Sequence, residues 1–171
     1  MVCLDSLTNA DLSYAILENL NFRNAYMANT NLKNSQASKV DLEGAVLADC
    51  DLSGADLSGA NLKYANLKGA RLENVNLRGA NLEGANLEGA CLHGANLCDA
   101  NLTDVNLKDA NLDDAEMRRT NLTNAELGNA SLYRADLWMA NMKGCKYGKA
   151  NYDSRTRLPT MKNWTKSPKA L

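Results

Sequence analysis

The stretch ANLEGANLEGACLHGANLCDANL, residues 80–102, says nearly the same thing every five residues. A helix repeats near 3.6 residues and a strand at two, so neither element accounts for it. Stepping outward by five gives centres at Leu7, Leu12, Leu17, Phe22, Met27, Leu32, Ala37 and Leu42, and onward to Leu137, Met142, Tyr147 and Tyr152. These are thirty consecutive centres without an insertion, and all but Ala37 are large and apolar. Two residues before each centre stands a small residue, usually Ala, replaced in places by Val40, Val75, Thr30, Thr120 or Cys50. Asn or Asp usually precedes the centre. The second residue after it is mostly Gly, Asn or Asp, and nine of the eleven glycines fall there. Those residue types enter positive-φ turns at least cost.

Each repeat therefore reads as a short extended piece followed by a corner. The large and small inward residues are two apart, as on one face of a strand. A chain that turns every five residues closes on itself after a few corners. The next coil must then lie over the first, because backbone N–H and C=O groups need partners. The result is a solenoid in which each unit touches only its neighbours. A helix fails because apolar residues of period five rotate around its axis. A β-sandwich would need longer alternating runs.

The pattern A-[DN]-L-x-x over residues 5–154 resembles the pentapeptide-repeat family. The resemblance implies an all-β fold, a right-handed quadrilateral β-helix with four repeats per coil. Thirty repeats would make about 7.5 coils, roughly 36 Å at about 4.8 Å per coil. It divides the chain into a lead-in (1–4), the β-helix (5–154) and a C-terminal capping tail (155–171). The stretch NYDSRTRLP, residues 151–159, resembles the closing segment of cyanobacterial members. The tail holds both prolines, with Leu158, Met161 and Trp164, and is expected to cover the open end of the solenoid. Outward Tyr133, Trp138 and Met139 would be its landing surface or, alternatively, a partner site. The lead-in is short for a cap, so end-to-end stacking into a homodimer is a second expectation.

The chain has 171 residues, with nineteen basic and twenty acidic side chains and a net charge of −1. This balance argues against a nucleic-acid binder and gives no support for a polybasic membrane anchor. No apolar run approaches the roughly 20 residues needed to span a bilayer. The start, MVCLDSLTNADL, lacks a basic region followed by an apolar one. A cytoplasmic location is expected, with a removed signal or transit peptide left open. Cys3, Cys50, Cys91, Cys98 and Cys145 have no zinc-site spacing and read as reduced thiols.

With twenty residues per coil, positions twenty apart stack on one face. Glu73, His93 and Asp113 then form a column, with Cys91 beside His93. A Cys, a His and carboxylates are transition-metal ligands. An exposed flat ladder nevertheless lacks the closed shell of a metal centre, so no metal, cofactor or catalytic residue is expected. Nor is there a nucleophile–base dyad or a concave pocket. Arg23, Glu43, Lys63 and Glu83 alternate in sign down one face, and Lys68, Glu88 and Lys108 down another, as stabilising pairs. The Asn column reads as a side-chain ladder. Tyr26, Ala28, Val46 and Ala48 form an apolar patch, with Tyr14 and Ile16 expected around a corner. The function read from these features is a non-catalytic, rod-shaped interaction or structural module with an unidentified protein partner. Some family members imitate duplex DNA and bind a topoisomerase (gyrase). Those favour Phe centres and acidic surfaces, whereas this chain has one Phe and mixed charge. A weak metal or enzymatic site at the Glu73/His93/Asp113 column is the third reading.

Overall fold

A computed structural model describes residues 6–159. The lead-in, and the tail beyond Pro159 with Met161 and Trp164, lie outside them. Every fifth residue from Asn9 to Lys149 has a positive φ, between 55° and 71°. The N–H of the following small residue donates to the C=O of the preceding centre, as Ala85 does to Leu82 at 3.0 Å. Such a bond, with positive φ at the third residue alone, is a type II turn. Nine of these corners are Gly and twenty are not. Asn and Asp tolerate the conformation, yet Tyr14, Lys39, Tyr64, Arg119, Arg134, Met139 and Lys149 adopt it too. The stacked coils impose the corner whatever residue occupies it.

Residues twenty apart pair in parallel, from Asp11 with Asn31 to Ser131 with Asn151. Each wall has three rungs. Leu62 N–H donates to Asn81 C=O at 2.7 Å, Asn81 N–H back to Ala60 C=O at 2.9 Å, and Tyr64 N–H to Glu83 C=O at 2.9 Å. Four corners per twenty residues make four walls. We number them by their centres: wall 1 through Leu12, Leu32 and Leu52, wall 2 through Leu17, Ala37 and Leu57, wall 3 through Phe22, Leu42 and Leu62, and wall 4 through Met27, Leu47 and Leu67.

The centres from Leu47 to Leu107 are 0–1% exposed and stack into one continuous core. Burying each such leucine stabilises the fold by about 1.5–3 kcal/mol before the chain's conformational entropy is set against it. The Asn before a centre does two jobs. Its Oδ1 accepts from the N–H two residues on, as in Asn31 with Lys33 at 3.1 Å. Its Nδ2 donates to the same position one coil back, as in Asn101 to Asn81 at 3.1 Å and Asn61 to Asp41 at 3.0 Å.

Among the described residues the core departs from its large-centre pattern at Ala37, with Ser35 in the small position before it. Thr30, Cys50 and Thr120 occupy the small position and donate to the carbonyl of a centre one coil back, at 2.7–2.8 Å. The buried Ser35 hydroxyl is the one such buried side-chain polar atom without a partner among the described residues. At the first coil, Leu7, Leu12 and Ala15 are half-buried. The N–H groups of Asp11, Ile16 and Asn21 have no backbone acceptor among the described residues. At the other end pairing continues past residue 154, to Arg157, which pairs with Asp136 at an offset of 21 rather than 20. The extra residue enters a turn from Asp153 to Thr156, closed by Thr156 N–H to Asp153 C=O at 3.1 Å. Thr156 takes the small inward position and donates to Leu132 C=O at 2.8 Å.

Candidate interaction surfaces

The candidate metal column does not gather. Glu73 Oε2 accepts from the Ser53 hydroxyl at 2.8 Å, and its Oε1 lies 3.5 Å from Arg71. Burial pushes the Glu73 carboxyl up, but Ser53, a backbone N–H and Arg71 outweigh this and leave it below the ordinary value. His93 Nδ1 lies 3.7 Å from Asp114 Oδ2 rather than on Asp113, because its ring leans diagonally toward the corner column. Asp114 also holds Arg134. Asp113 instead accepts from the Ser131 hydroxyl at 2.5 Å and Tyr133 N–H at 3.0 Å. Among the described residues no group of three or more His, Cys, Asp and Glu could hold a metal ion.

Three of the thiols, Cys50, Cys91 and Cys145, are not activated. Burial, with the nearby Glu73 charge, raises Cys91. Burial lifts Cys50 to about 11 and Cys145 to about 12. A thiol so shifted stays protonated at neutral pH and is a poor nucleophile. A shallow, open cleft of about 320 Å³ does lie at the corner of walls 3 and 4, lined by Asp104, Asn106, Asn124, Glu126 and Lys146. The expectation of no concavity is corrected to that extent.

The charged columns pair largely as alternation requires: Arg23 with Glu43 at 2.6 Å, Lys63 with Glu83 at 2.9 Å and Lys68 with Glu88 at 2.9 Å. Lys108 departs from the pattern. It pairs with Glu126, not Glu88. Glu126 also accepts from Lys146 at 2.8 Å, and the two lysines draw its carboxyl down to about 2.

Tyr26 and Val46 are direct ladder partners on wall 4. Tyr26 is 66% exposed, and Val46, Ala28 and Ala48 are half-buried beside it. Tyr14 and Ile16, 70% and 72% exposed, do not join them. Ile16 precedes Tyr26 by ten residues, which is two corners and half a coil, so it faces the opposite side of the rod. The expected single patch is two separate surfaces. Leu20, also exposed in the first coil, was missed because the small position is read as inward. Tyr133 is exposed. Trp138 is half-buried, with the Arg157 guanidinium 5.0 Å from its ring centroid, a cation–π contact. Tyr64 is a further exposed aromatic, and the only signal for it is a Tyr in a slot often held by Gly. Its ring lies across Gly84, where an added Cβ would stand 2.6 Å away.

Four walls of stacked five-residue turns, with polar ladders outside and a leucine column within, define a solenoid of the quadrilateral β-helix class. The chain belongs to the pentapeptide-repeat family. The family model described as pentapeptide repeats (8 copies) matches residues 6–44, 41–79, 65–104, 80–119, 100–138 and 110–146. Proteins of this family form right-handed quadrilateral β-helices. Among solved structures, the chain is similar to HetL from the cyanobacterium Nostoc sp. strain PCC 7120, a pentapeptide repeat protein involved in heterocyst differentiation regulation. The two are 29% identical over 85% of this chain and 84% of that one, with a TM-score of 0.48. A trypsin-treated variant of QnrB1, a plasmid-mediated fluoroquinolone resistance protein, is 18% identical over 87% of this chain and 90% of that one, with a TM-score of 0.50. A pentapeptide repeat protein of the Arabidopsis thaliana thylakoid lumen is 35% identical over 59% of this chain and 63% of that one, with a TM-score of 0.30. No curated protein matches the chain. Among the described residues no helix is long and apolar enough to cross a membrane.

Proposed function

We propose that the chain is a non-catalytic interaction rod of about 7.5 coils that docks a cytoplasmic protein partner through the N-terminal part of wall 4. The carrying observation is the contrast within that wall. From Tyr26 to Ala48 its outward positions are Tyr26, Ala28, Val46 and Ala48, all uncharged. From Lys68 onward they are mostly Asn or ion-paired Lys and Glu. A partly desolvated aromatic flanked by small residues suits a protein interface, where Tyr is enriched. The raised thiols of Cys50, Cys91 and Cys145 and the turn of His93 toward Asp114 weigh against a reaction at the Glu73/His93/Asp113 column. Imitation of DNA fits less well. A duplex of roughly 36 Å carries about twenty negative charges, against a net charge of −1 here.

The test is an affinity capture from the source organism with wild type and with Tyr26→Asp/Val46→Asp. The partner should be captured by wild type and lost by the double variant at unchanged melting temperature. Loss with Tyr14→Asp/Ile16→Asp alone would place the interface on the opposite side. An end-to-end homodimer through the first coil, whose Asp11, Ile16 and Asn21 N–H groups lack a backbone acceptor among the described residues, is a second reading that sedimentation across concentrations would reveal as a dimer.

A further inference from the structure

The balanced total charge conceals a segregation. Residues 143–171 hold eight Lys or Arg and one Asp, net +7, whereas the preceding 142 residues hold eleven basic and nineteen acidic side chains, net −8. Five of the eight cations are described, and all five are exposed: Lys143, Lys146, Lys149, Arg155 and Arg157. They encircle the last coil. Lys143 stands on wall 3, Lys146 on wall 4, Lys149 at the corner of walls 4 and 1, Arg155 in the enlarged turn and Arg157 on wall 2.

The carboxylates beneath this ring are already shared. Glu126 serves Lys108 as well as Lys146, and Asp136 serves Arg118 as well as Arg157. Asp153 turns to Arg155 in its own turn. Lys143 and Lys149 have no ion pair among the described residues. Among the described residues the last coil thus carries five cations against one acid, Asp153, while the coils from Glu88 to Glu116 carry excess acid.

Cations spread round the perimeter of a rod end can all approach a flat polyanion met end-on. A duplex, being a narrow cylinder, would engage the cations of one or two walls only. We propose that the C-terminal end of this rod docks end-on to an anionic lipid surface. Clusters of four to eight Lys or Arg bind such surfaces, each contributing to an attraction that fades over a Debye length.

The experiment is vesicle flotation of the full chain at about 0.15 M salt, with phosphatidylcholine alone or containing phosphatidylserine, and with duplex DNA titrated in parallel. Binding is expected to the phosphatidylserine vesicles only, and it should fall as salt is raised. Lys143→Ala/Lys149→Ala, which removes no ion pair, should weaken it about thirty-fold. Tyr26→Asp/Val46→Asp should leave it unchanged, which separates this surface from the one under Proposed function. Equal binding to phosphatidylcholine alone, no binding to either vesicle, or an unaltered Lys143→Ala/Lys149→Ala protein that melts normally would overturn it. Tighter binding to the duplex than to the vesicles would also overturn it and make nucleic acid the partner.

Discussion

Residues 41–100 and residues 6–40 build the same coils from different material. In the central stretch eight of the eleven corners from Gly44 to Gly94 are Gly, and the centres are all Leu. In the N-terminal stretch none of the seven corners is Gly. Five are Asn, the others are Tyr14 and Lys39, and the centres include Phe22, Met27 and Ala37. The corner dihedrals and the ladder nonetheless run through both without a break. Each coil needs only a compatible neighbour, so local departures are absorbed one interface at a time. Corners also pack on corners. Asn24 and Asn34 arch over Gly44 and Gly54, whose missing Cβ atoms leave the room. The N-terminal coils can therefore carry exposed Tyr26 and half-buried Val46 while holding the fold.

The largest effect should separate the two stretches directly. Leu82→Ala, in the closed central column, should lose about 2–5 kcal/mol in urea unfolding, because the rigid core keeps the cavity. Leu12→Ala, at a half-buried centre of the first coil, should lose less than about 2 kcal/mol. Equal losses would show that the first coil is as closed as the middle. Next comes Gly84→Ala. The forced positive φ and the Tyr64 ring together should cost about 2 kcal/mol, whereas Gly79→Ala, with nothing within 4 Å of the new Cβ, should cost about 1 kcal/mol. In a Tyr64→Ala background the two costs should converge. Ala37→Leu should reverse the sign and gain about 1 kcal/mol by restoring the large centre that every other repeat has. A loss would mean that Leu17 and Leu57 have already closed over the position.

The smallest effect lies near the basic end and depends on pH. Glu126 is held to about 2 by Lys108 and Lys146, below its ordinary value of 4.5. A depressed carboxylate contributes stability above its unfolded value and loses it as pH falls through its folded one. Melting temperature should therefore decline between about pH 4.5 and 2, and Glu126→Gln should flatten part of that decline. Its exposure and salt screening keep the effect modest.

Most of the fold was legible because the repeat states each constraint thirty times. The inward positions, the glycine-favouring corners and the Asn ladder each follow from one pentad. What was not legible depends on where side chains lean. His93 reaches the corner column instead of the residue above it, and Lys108 chooses Glu126 over Glu88; both are diagonal choices that register alone leaves open. Tyr14 and Ile16 were grouped with Tyr26 on sequence proximity, although ten residues in a square coil reverse direction. The charge segregation was hidden because a total has no position. The enlarged turn escaped notice because the residues after Tyr152 no longer keep the pentad spacing.

That turn makes the two ends of the rod unlike. Among the described residues, the first coil's Asp11, Ile16 and Asn21 N–H groups have no backbone acceptor. The last coil is one residue longer on wall 1, and buried Pro159, which has no N–H to offer, follows its final ladder residue by two. An incoming coil of ordinary length would find a corner that does not match.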